Sequence, residues 1–555
     1  MIRRPALALC LTLAGALAPR VAAAIPPEPW SDVDPLTKPQ RHAFGSFGAR
    51  LGAEYRANGL YIRPLSLGTE TARNASWIEH RLRADLSLDY VDKIKIVLSA
   101  DMLDGVIWGD NGTTGGGAGL GTVNPNTGAN VNARNPNFAV PCVGYRWGDP
   151  LDPNAYAYTL CPGNPLFVRK AYGEVTFPFG VLRVGRQPVN DGTSLFAADG
   201  DGRPNRFGFS RAGSIVDRVL FATKPLEALK PQGKRDTSPD RGLVAALVYD
   251  RWVTDSPQAL SDDVQQFGGT IRVGAPKVGP LRDAFASVYY VQRFDMRWSN
   301  VSAFGVRGMG RWKDFYAGVD LAMSAGKTRE ISEALKAITN DPVEDQTILQ
   351  GGMRAVVRYD RPKFSLYMEA DYASGTSDPR SRATLANMVW AEDSNVGLLL
   401  FKHVLAFQSA RAAAAGTELL KRLGATDFPT QALDTRGAFT NAFALFPQVD
   451  YKPLPGLMFR GGALVAWTAA PLIDSIASVQ KRSSADWRDD LVNYAGGKPG
   501  SFYGVELDAR VQYRFLEHFI ADLEGAILFP GDALANKDGY AARSTMVQAR
   551  TTFFF

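Results

Sequence analysis

Charged residues recur at every second position in several stretches of this 555-residue chain, and that spacing is the first place to look for chemistry. Arg81, Arg83, Asp85 and Asp89 share one parity with Glu79, while Glu506, Asp508, Arg510 and Arg514 do the same further on, as do Arg354 and Arg358. Alternate residues of an extended strand point to the same face, so each set forms a row of charge on one side of a sheet. The rows differ in sign. Arg81/Arg83 and Arg354/Arg358, set against Glu506/Asp508 and Asp522/Glu524, would create a transverse field that orients small polar solutes in a water-filled lumen. The same charges can instead pair across neighbouring strands and stiffen a wall, and both uses stay open.

Covalent and metal chemistry find little support. Four histidines are present, His42, His80, His403 and His518, and none stands in a Ser–His–Asp arrangement or at metal-ligand spacing. Asp199-Gly-Asp201-Gly with Asn205 has the outline of a calcium loop, but Arg203 occupies a position where that loop needs Asp or Asn, so an acidic turn is the simpler reading. No metal, cofactor or catalytic group is expected. Cys142 and Cys161 are too few for a zinc site; in an exported chain they are expected to form a disulfide worth ~3 kcal/mol in the chain-entropy model. No Lys/Arg cluster with interleaved aromatics appears, which excludes the usual footprint of a nucleic-acid binder.

Export is written into the first residues. Arg3 and Arg4 precede an apolar run from Ala6 to Ala18, and Ala22-Ala23-Ala24 offers a cleavage site, so residues 1–24 read as a signal peptide. Cys10 sits inside the apolar run after bulky Leu9, which argues against a lipid-attachment signal. Cleavage removes Arg3, Arg4 and Arg20 and lowers the formal charge from +6 to +3. Beyond the signal no apolar run reaches membrane-helix length; the strongest, "NVGLLLFKHVLAF", is short and contains Lys402 and His403.

What must position the charged rows is a long series of strands. In "FYGVELDARVQYRF", Tyr503, Val505, Leu507, Ala509, Val511, Tyr513 and Phe515 share one parity and the charged residues the other, a separation that only a strand achieves. Similar segments lie near 48–62, 76–90, 94–103, 166–176, 181–187, 213–223, 241–253, 263–274, 282–294, 299–312, 314–325, 348–358, 364–373, 437–451, 457–469, 501–515, 518–529 and 544–555. Tight links such as 91–93, 177–180, 359–363, 452–456 and 516–518 alternate with long ones at 104–165, 188–212, 326–347, 374–436 and 470–500; only 224–240 is long on the turn side. Such a chain is expected to be all-β, a closed antiparallel transmembrane barrel of about 18 strands with short periplasmic turns and long extracellular loops. A secreted sandwich or solenoid is the alternative. Neither explains loops gathered at one end, nor the aromatics Tyr90, Phe315, Tyr451, Phe515, Phe519 and Phe555 at the turn-side ends of one face, where an interfacial girdle belongs.

The final strand, Val547 to Phe555, has alternating apolar positions and a terminal phenylalanine, and it resembles the sorting signal of porin-like Gram-negative outer-membrane barrels. That resemblance implies recognition of Phe553 and Phe555 by the barrel-assembly machinery and location in outer-membrane lipid. "GVLRVGRQPVNDG", Gly180 to Gly192, is similar to porin and alginate-export-type barrels, and with "SIVDRVLF" it also resembles uncharacterised myxobacterial-type barrels.

The domain reading is a signal peptide at 1–24, a periplasmic segment at 25–47 and a barrel at 48–555. A porin-like channel for passive diffusion of small polar solutes follows, its pore lined by Arg81, Arg83, Asp85, Asp89, Arg354, Arg358, Glu506, Asp508, Arg510 and Arg514. The alternatives are a polysaccharide exporter, which would need a strongly positive lumen, and a loop-based surface scaffold or adhesin with a plugged lumen. A hydrolase lacks a catalytic cluster, and the residues before the first strand are too few for a globular transporter plug. The segment 395–423 has helical spacing and could fold inward, pack on external loops, or supply two further strands.

Overall fold

The computed structural model describes residues 40–65, 67, 75–109, 143–147, 156–160, 164–189, 195–202, 205–209, 213–238, 241–254, 264–295, 299–339, 342–380, 382–424, 435–516 and 518–555. The proposed signal peptide and the pair Cys142 and Cys161 lie outside them.

Each dyad stretch is a strand. The first nine are β1 (Phe47–Arg63), β2 (Ala75–Tyr90), β3 (Ile94–Gly109), β4 (Asn164–Phe177), β5 (Gly180–Pro188), β6 (Ile215–Thr223), β7 (Gly242–Thr254), β8 (Gln265–Val278) and β9 (Leu281–Phe294). The remainder are β10 (Asn300–Trp312), β11 (Phe315–Thr328), β12 (Gln346–Asp360), β13 (Phe364–Ala373), β14 (Ala442–Leu454), β15 (Leu457–Thr468), β16 (Phe502–Phe515), β17 (Phe519–Pro530) and β18 (Ser544–Phe554). Every strand pairs antiparallel with its neighbours in the chain. The sheet closes where β1 meets β18, in a ladder running from Glu54↔Phe554 to Arg63↔Thr545. A short strand, His42–Phe44, folds back on β1, and a two-stranded hairpin (Val143–Trp147 with Tyr156–Leu160) forms a separate sheet.

Closure matters because of what the outer face presents. Leu51, Leu247, Phe267, Leu507, Leu523 and Val547 all stand exposed on the outside. A continuous apolar exterior suits hydrocarbon, where an unpaired sheet edge would leave backbone groups without partners. Ring contacts join the turn-side aromatics between neighbouring strands, with centroids 4.9 Å apart for Phe47 and Tyr90, 4.8 Å for Phe315 and Tyr359, and 4.9 Å for Phe519 and Phe553. The tight turns β14–β15 and β16–β17 lie at this end, and Gly456 shows why one of them is glycine: its φ is +79°, and a Cβ there would stand 2.5 Å from the carbonyl oxygen of Arg514.

Parity fails at one informative place. Tyr503, expected on the outer face with Val505, is 1% exposed and packs inside. The cause is a bulge at Gly504, whose φ of +128° and 2.2 Å approach to the Phe529 carbonyl admit no side chain, and the β15–β16 register shifts there. Gly185 of the Gly-Arg-Gln motif has the same geometry, with φ +128° and a would-be Cβ 2.3 Å from Ala171 O. The glycine of that motif therefore answers a local backbone requirement.

Leu507 faces outward near the middle of β16. Replacing it with arginine is expected to cost about 2–4 kcal/mol of folding free energy in a bilayer, read as a shift in denaturant midpoint during folding into lipid vesicles; an unchanged midpoint would mean that this face does not meet lipid.

Candidate functional site in the barrel interior

Two connecting segments enter the barrel. The first, between β5 and β6, runs across the interior through residues 195–202 and 205–209; the second, between β13 and β14, brings residues 389–407 inside and continues as a π-helical turn (Leu400–Leu405) into an α-helix (Ala406–Arg422). The helix expected at 395–423 is thus present, and its start lies inside the barrel.

Arginines on the wall hold the first segment by one repeated geometry. Arg83 sets Nε and Nη2 on the carboxylate of Asp101 in the adjacent strand, at 2.6 and 2.9 Å, and turns Nη1 to the carbonyl of Asp201 at 2.7 Å. Arg460 grips Asp450 at 2.6 and 2.7 Å and donates Nη1 to the carbonyl of Arg206 at 2.7 Å. Arg510 sets both Nε and Nη2 on the single oxygen Oδ1 of Asp522, at 2.9 and 2.7 Å, and donates Nη1 to the carbonyls of Asn205 and Arg206, at 3.0 and 2.9 Å. Guanidinium suits this role because its planar fork matches a carboxylate and leaves a further N–H over. Arg56 reaches Gly202 O, Arg169 reaches Gly200 O, and Lys170 reaches the Asp201 carboxylate. In return the segment sends Arg206 to Gln448 and Asp450, stacked 3.9 Å from the Tyr367 ring centroid, and the amide of Gly208 to Glu524 at 2.8 Å.

The second segment is held at a helix start. The backbone amides of Leu398, Leu399 and Leu400 donate to the two oxygens of Glu506 at 2.6, 2.8 and 2.6 Å. These are the donors a helix N-terminus leaves unpaired, and a carboxylate there also meets the positive end of the helix dipole. Gly397, with φ +71°, allows the close approach, since a Cβ would lie 2.9 Å from Glu506 Oε1. Around this anchor Leu398, Leu400, Phe401, Val404, Phe439 and Tyr503 pack with inward apolar residues near the loop end of the strands, including Ile62, Leu464, Leu528 and Met546. Arg354 joins in, pairing with Glu369 and donating to Ser394 Oγ at 3.1 Å.

The segments also meet each other. The Gly200 amide donates to Asp393 at 2.5 Å, and Asn205 donates to the Asp393 carbonyl at 3.1 Å. Burial, reinforced by the charge of Asp199, pushes the Asp393 carboxyl up to about 7. Burial likewise lowers Lys402 to about 8 and His403 to about 3, so the imidazole is neutral at physiological pH.

The ten charged residues singled out from the sequence separate into two groups. Arg81, Arg83, Arg354, Glu506, Asp508 and Arg510 face inward and are buried in the packed half of the barrel. Asp85, Asp89, Arg358 and Arg514 lie toward the turn end: Asp89 pairs with Arg41, Arg358 with Asp360 at 2.9 Å, and Arg514 sits 5.8 Å from the Phe554 ring centroid. Sequence reasoning missed Glu54, Arg56, Arg169, Arg206 and Asp393. Glu54 and Arg56 share β1 parity with Asn58 and were legible as a charged row; Arg169 turns inward only because of a bulge between Ser99 and Ala100, and Arg206 and Asp393 belong to connections without periodicity.

The other half is open. A cavity of about 1180 Å³ follows the inner faces of β5 to β12, from Val181, Ala222 and Val244 near the turn end to Trp252, Thr328 and Gln346 near the loop end. None of the ten residues above lines it. No cluster of metal-ligating side chains occurs among the described residues.

No family model matches the chain, and no curated protein does. Solved structures that match include the outer membrane protein OpdK of Pseudomonas aeruginosa, at 10% identity over 91% of this chain and 98% of that one, with a TM-score of 0.45. OccK2 (OpdF) of the same organism, crystallised in complex with glucuronate, matches at 9% identity over 91% and 98%, with a TM-score of 0.44. OccAB1 of Acinetobacter baumannii matches at 11% identity over 91% and 96%, with a TM-score of 0.46.

Glu506→Ala is expected to free three buried amides and weaken docking of the 398–407 segment by ~3 kcal/mol, seen as faster proteolysis within 395–423 in the folded barrel; unchanged protection would remove Glu506 as the anchor. The raised Asp393 carboxyl favours docking when protonated, an effect complete below the ordinary carboxylate range and lost as pH rises through about 7. Exchange of the Gly200 amide should therefore be faster at pH 7.5 than at 5.5, after correction for intrinsic rate, and Asp393→Asn should abolish the difference.

Proposed function

We propose that this chain is an outer-membrane channel through which small polar solutes diffuse passively. One observation carries the reading: the cavity follows the wall over most of its height, from the turn end to the loop end, while the rest of the interior is packed. The closed sheet and apolar exterior support location in the outer membrane. The inward segments narrow the interior, so diameter and wall chemistry select the solute.

On this reading Arg83, Arg354, Glu506 and Arg510 act chiefly as anchors that keep the segments off the open path, with Arg81 and Asp508 inside the same charged packing. Asp85, Asp89, Arg358 and Arg514 set the charge at the turn-side mouth. The long connections face outward from the cell and the turns face the periplasm, together with residues 25–47. Residues 1–24 are removed on export, Cys142 and Cys161 form a disulfide in an outer loop, and Phe553 and Phe555, both exposed on the outer face, present the assembly signal. A polysaccharide exporter is less well supported, because the lining arginines Arg183, Arg218 and Arg380 are taken up by carboxylates and do not form a strongly positive strip. The Gly-Arg-Gln motif adds little to it, since Gly185 has its own structural reason. A plugged scaffold is disfavoured by the cavity. No catalytic step is assigned.

In planar bilayers the purified chain should give small ohmic conductances. The variant Arg460→Lys/Arg510→Lys keeps the charges but cannot both grip a carboxylate and hold the segment's carbonyls, and it should raise unit conductance by about twofold or more. Silence in both proteins would sink the channel reading.

A further inference from the structure

We propose that the open half of the barrel binds and passes small neutral solutes carrying a ring-sized apolar body beside their polar groups. This rests on the channel reading above and names its solute class.

The inner wall of β6 to β10 is the reason. Leu220 in β6, Val244, Ala246 and Val248 in β7, Val291 in β9 and Val301 in β10 all line the cavity. Their neighbours on the same strands, such as Val219, Leu247 and Tyr290, face outward and are apolar too. A strand between lipid and a purely aqueous lumen needs only one apolar face; strands apolar on both faces belong where both sides are dry or meet apolar matter. Along that apolar stretch a bare ion or a fully hydrated sugar would give up water without new partners, while Gln266, Thr270, Arg272, Ser287 and Arg293 of β8 and β9 line the same cavity with polar groups.

Part of the charge around the cavity is matched in close pairs, while Arg272 and Arg293, which also line it, lie over the rings of Phe285 and Trp252, 5.8 and 4.7 Å from their centroids. Arg183 pairs with Glu174 at 2.8 Å, Arg218 with Asp250 at 2.6 and 2.7 Å, and Arg380 with Asp378 at 2.9 and 2.6 Å. These pairs offer hydrogen bonds to a polar end while presenting little net field, which favours a neutral solute.

The wall also offers aromatic surface. Gly305, directly across from Tyr289 in the β9–β10 ladder, leaves room for that ring to lie along the sheet; a Cβ at Gly305 would fall 2.2 Å from it. Tyr289 meets Phe196 of the inward segment edge to face at 6.4 Å, and Trp252 lines the same void higher up. Such rings favour stacked or edge contacts with another ring. At about 1180 Å³ the cavity holds one ring with space left for water around the polar end.

The test compares two uncharged, membrane-impermeant probes that differ only in the ring: phenyl β-glucoside and methyl β-glucoside. Calorimetric titration of the full chain in nanodiscs should show phenyl β-glucoside binding at least about tenfold more tightly. Val248→Thr/Val291→Thr, which swaps methyls for hydroxyls at nearly constant volume, should erase most of that preference. In proteoliposomes phenyl β-glucoside should enter faster despite its size. Equal affinities, or no binding of either probe, would overturn the proposal whatever the variant does. Selective binding without passage of either probe would uphold the solute class and overturn the channel reading. Equal affinities with faster entry of methyl β-glucoside would do the reverse.

Discussion

A closed sheet with charge on its inner face must satisfy each inward donor and acceptor within a narrow space, and most of this structure follows from how arginine meets that demand. A guanidinium that grips the carboxylate of the next strand has another N–H left, and in Arg83, Arg460 and Arg510 that group points at the backbone of the segment between β5 and β6. Burying the ion pairs alone would be close to neutral or costly. Extending each pair into a connection makes the wall and the obstruction inside it one hydrogen-bonded unit. The same logic, with polarity reversed, places three helix-start amides on Glu506.

The interior is consequently lopsided. Where inward positions are charged at mid-height and apolar toward the loop end, as in β1 with Glu54, Arg56 and Asn58 followed by Leu60 and Ile62, the connections have both anchors and a greasy socket. Where inward positions from the turn end to mid-height are apolar and small, as Val244, Ala246 and Val248 are in β7, no charged side chain grips a connection and the space stays open. Which half of the interior stays open is thus decided by side chains that do not line the cavity.

Strand number and facing were legible because period two survives over ten or more residues in segments such as β2 and β16, where few competing structures separate apolar from charged side chains so cleanly. Tyr503 was misassigned because a single bulged glycine resets parity without disturbing composition. The inward charged rows were visible, but their partners were not: Arg206, Asp393 and Ser394 lie in connections whose path is set by tertiary contacts. The stretch "GLVAALVY" of β7 is apolar at both parities, and an outward lipid face accounts for only one of them.

The meeting of β1 with β18 has a temporal consequence. All other ladders join strands that follow one another around the barrel in chain order, yet this one links residues 54–63 with 545–554 and can form only once both segments are brought together. Until then both margins of an almost complete ribbon bear open amides and carbonyls, ready to recruit any passing strand. Copies that meet before this seam closes can pair edge to edge, and a sheet lacking either margin strand has no way to seal itself.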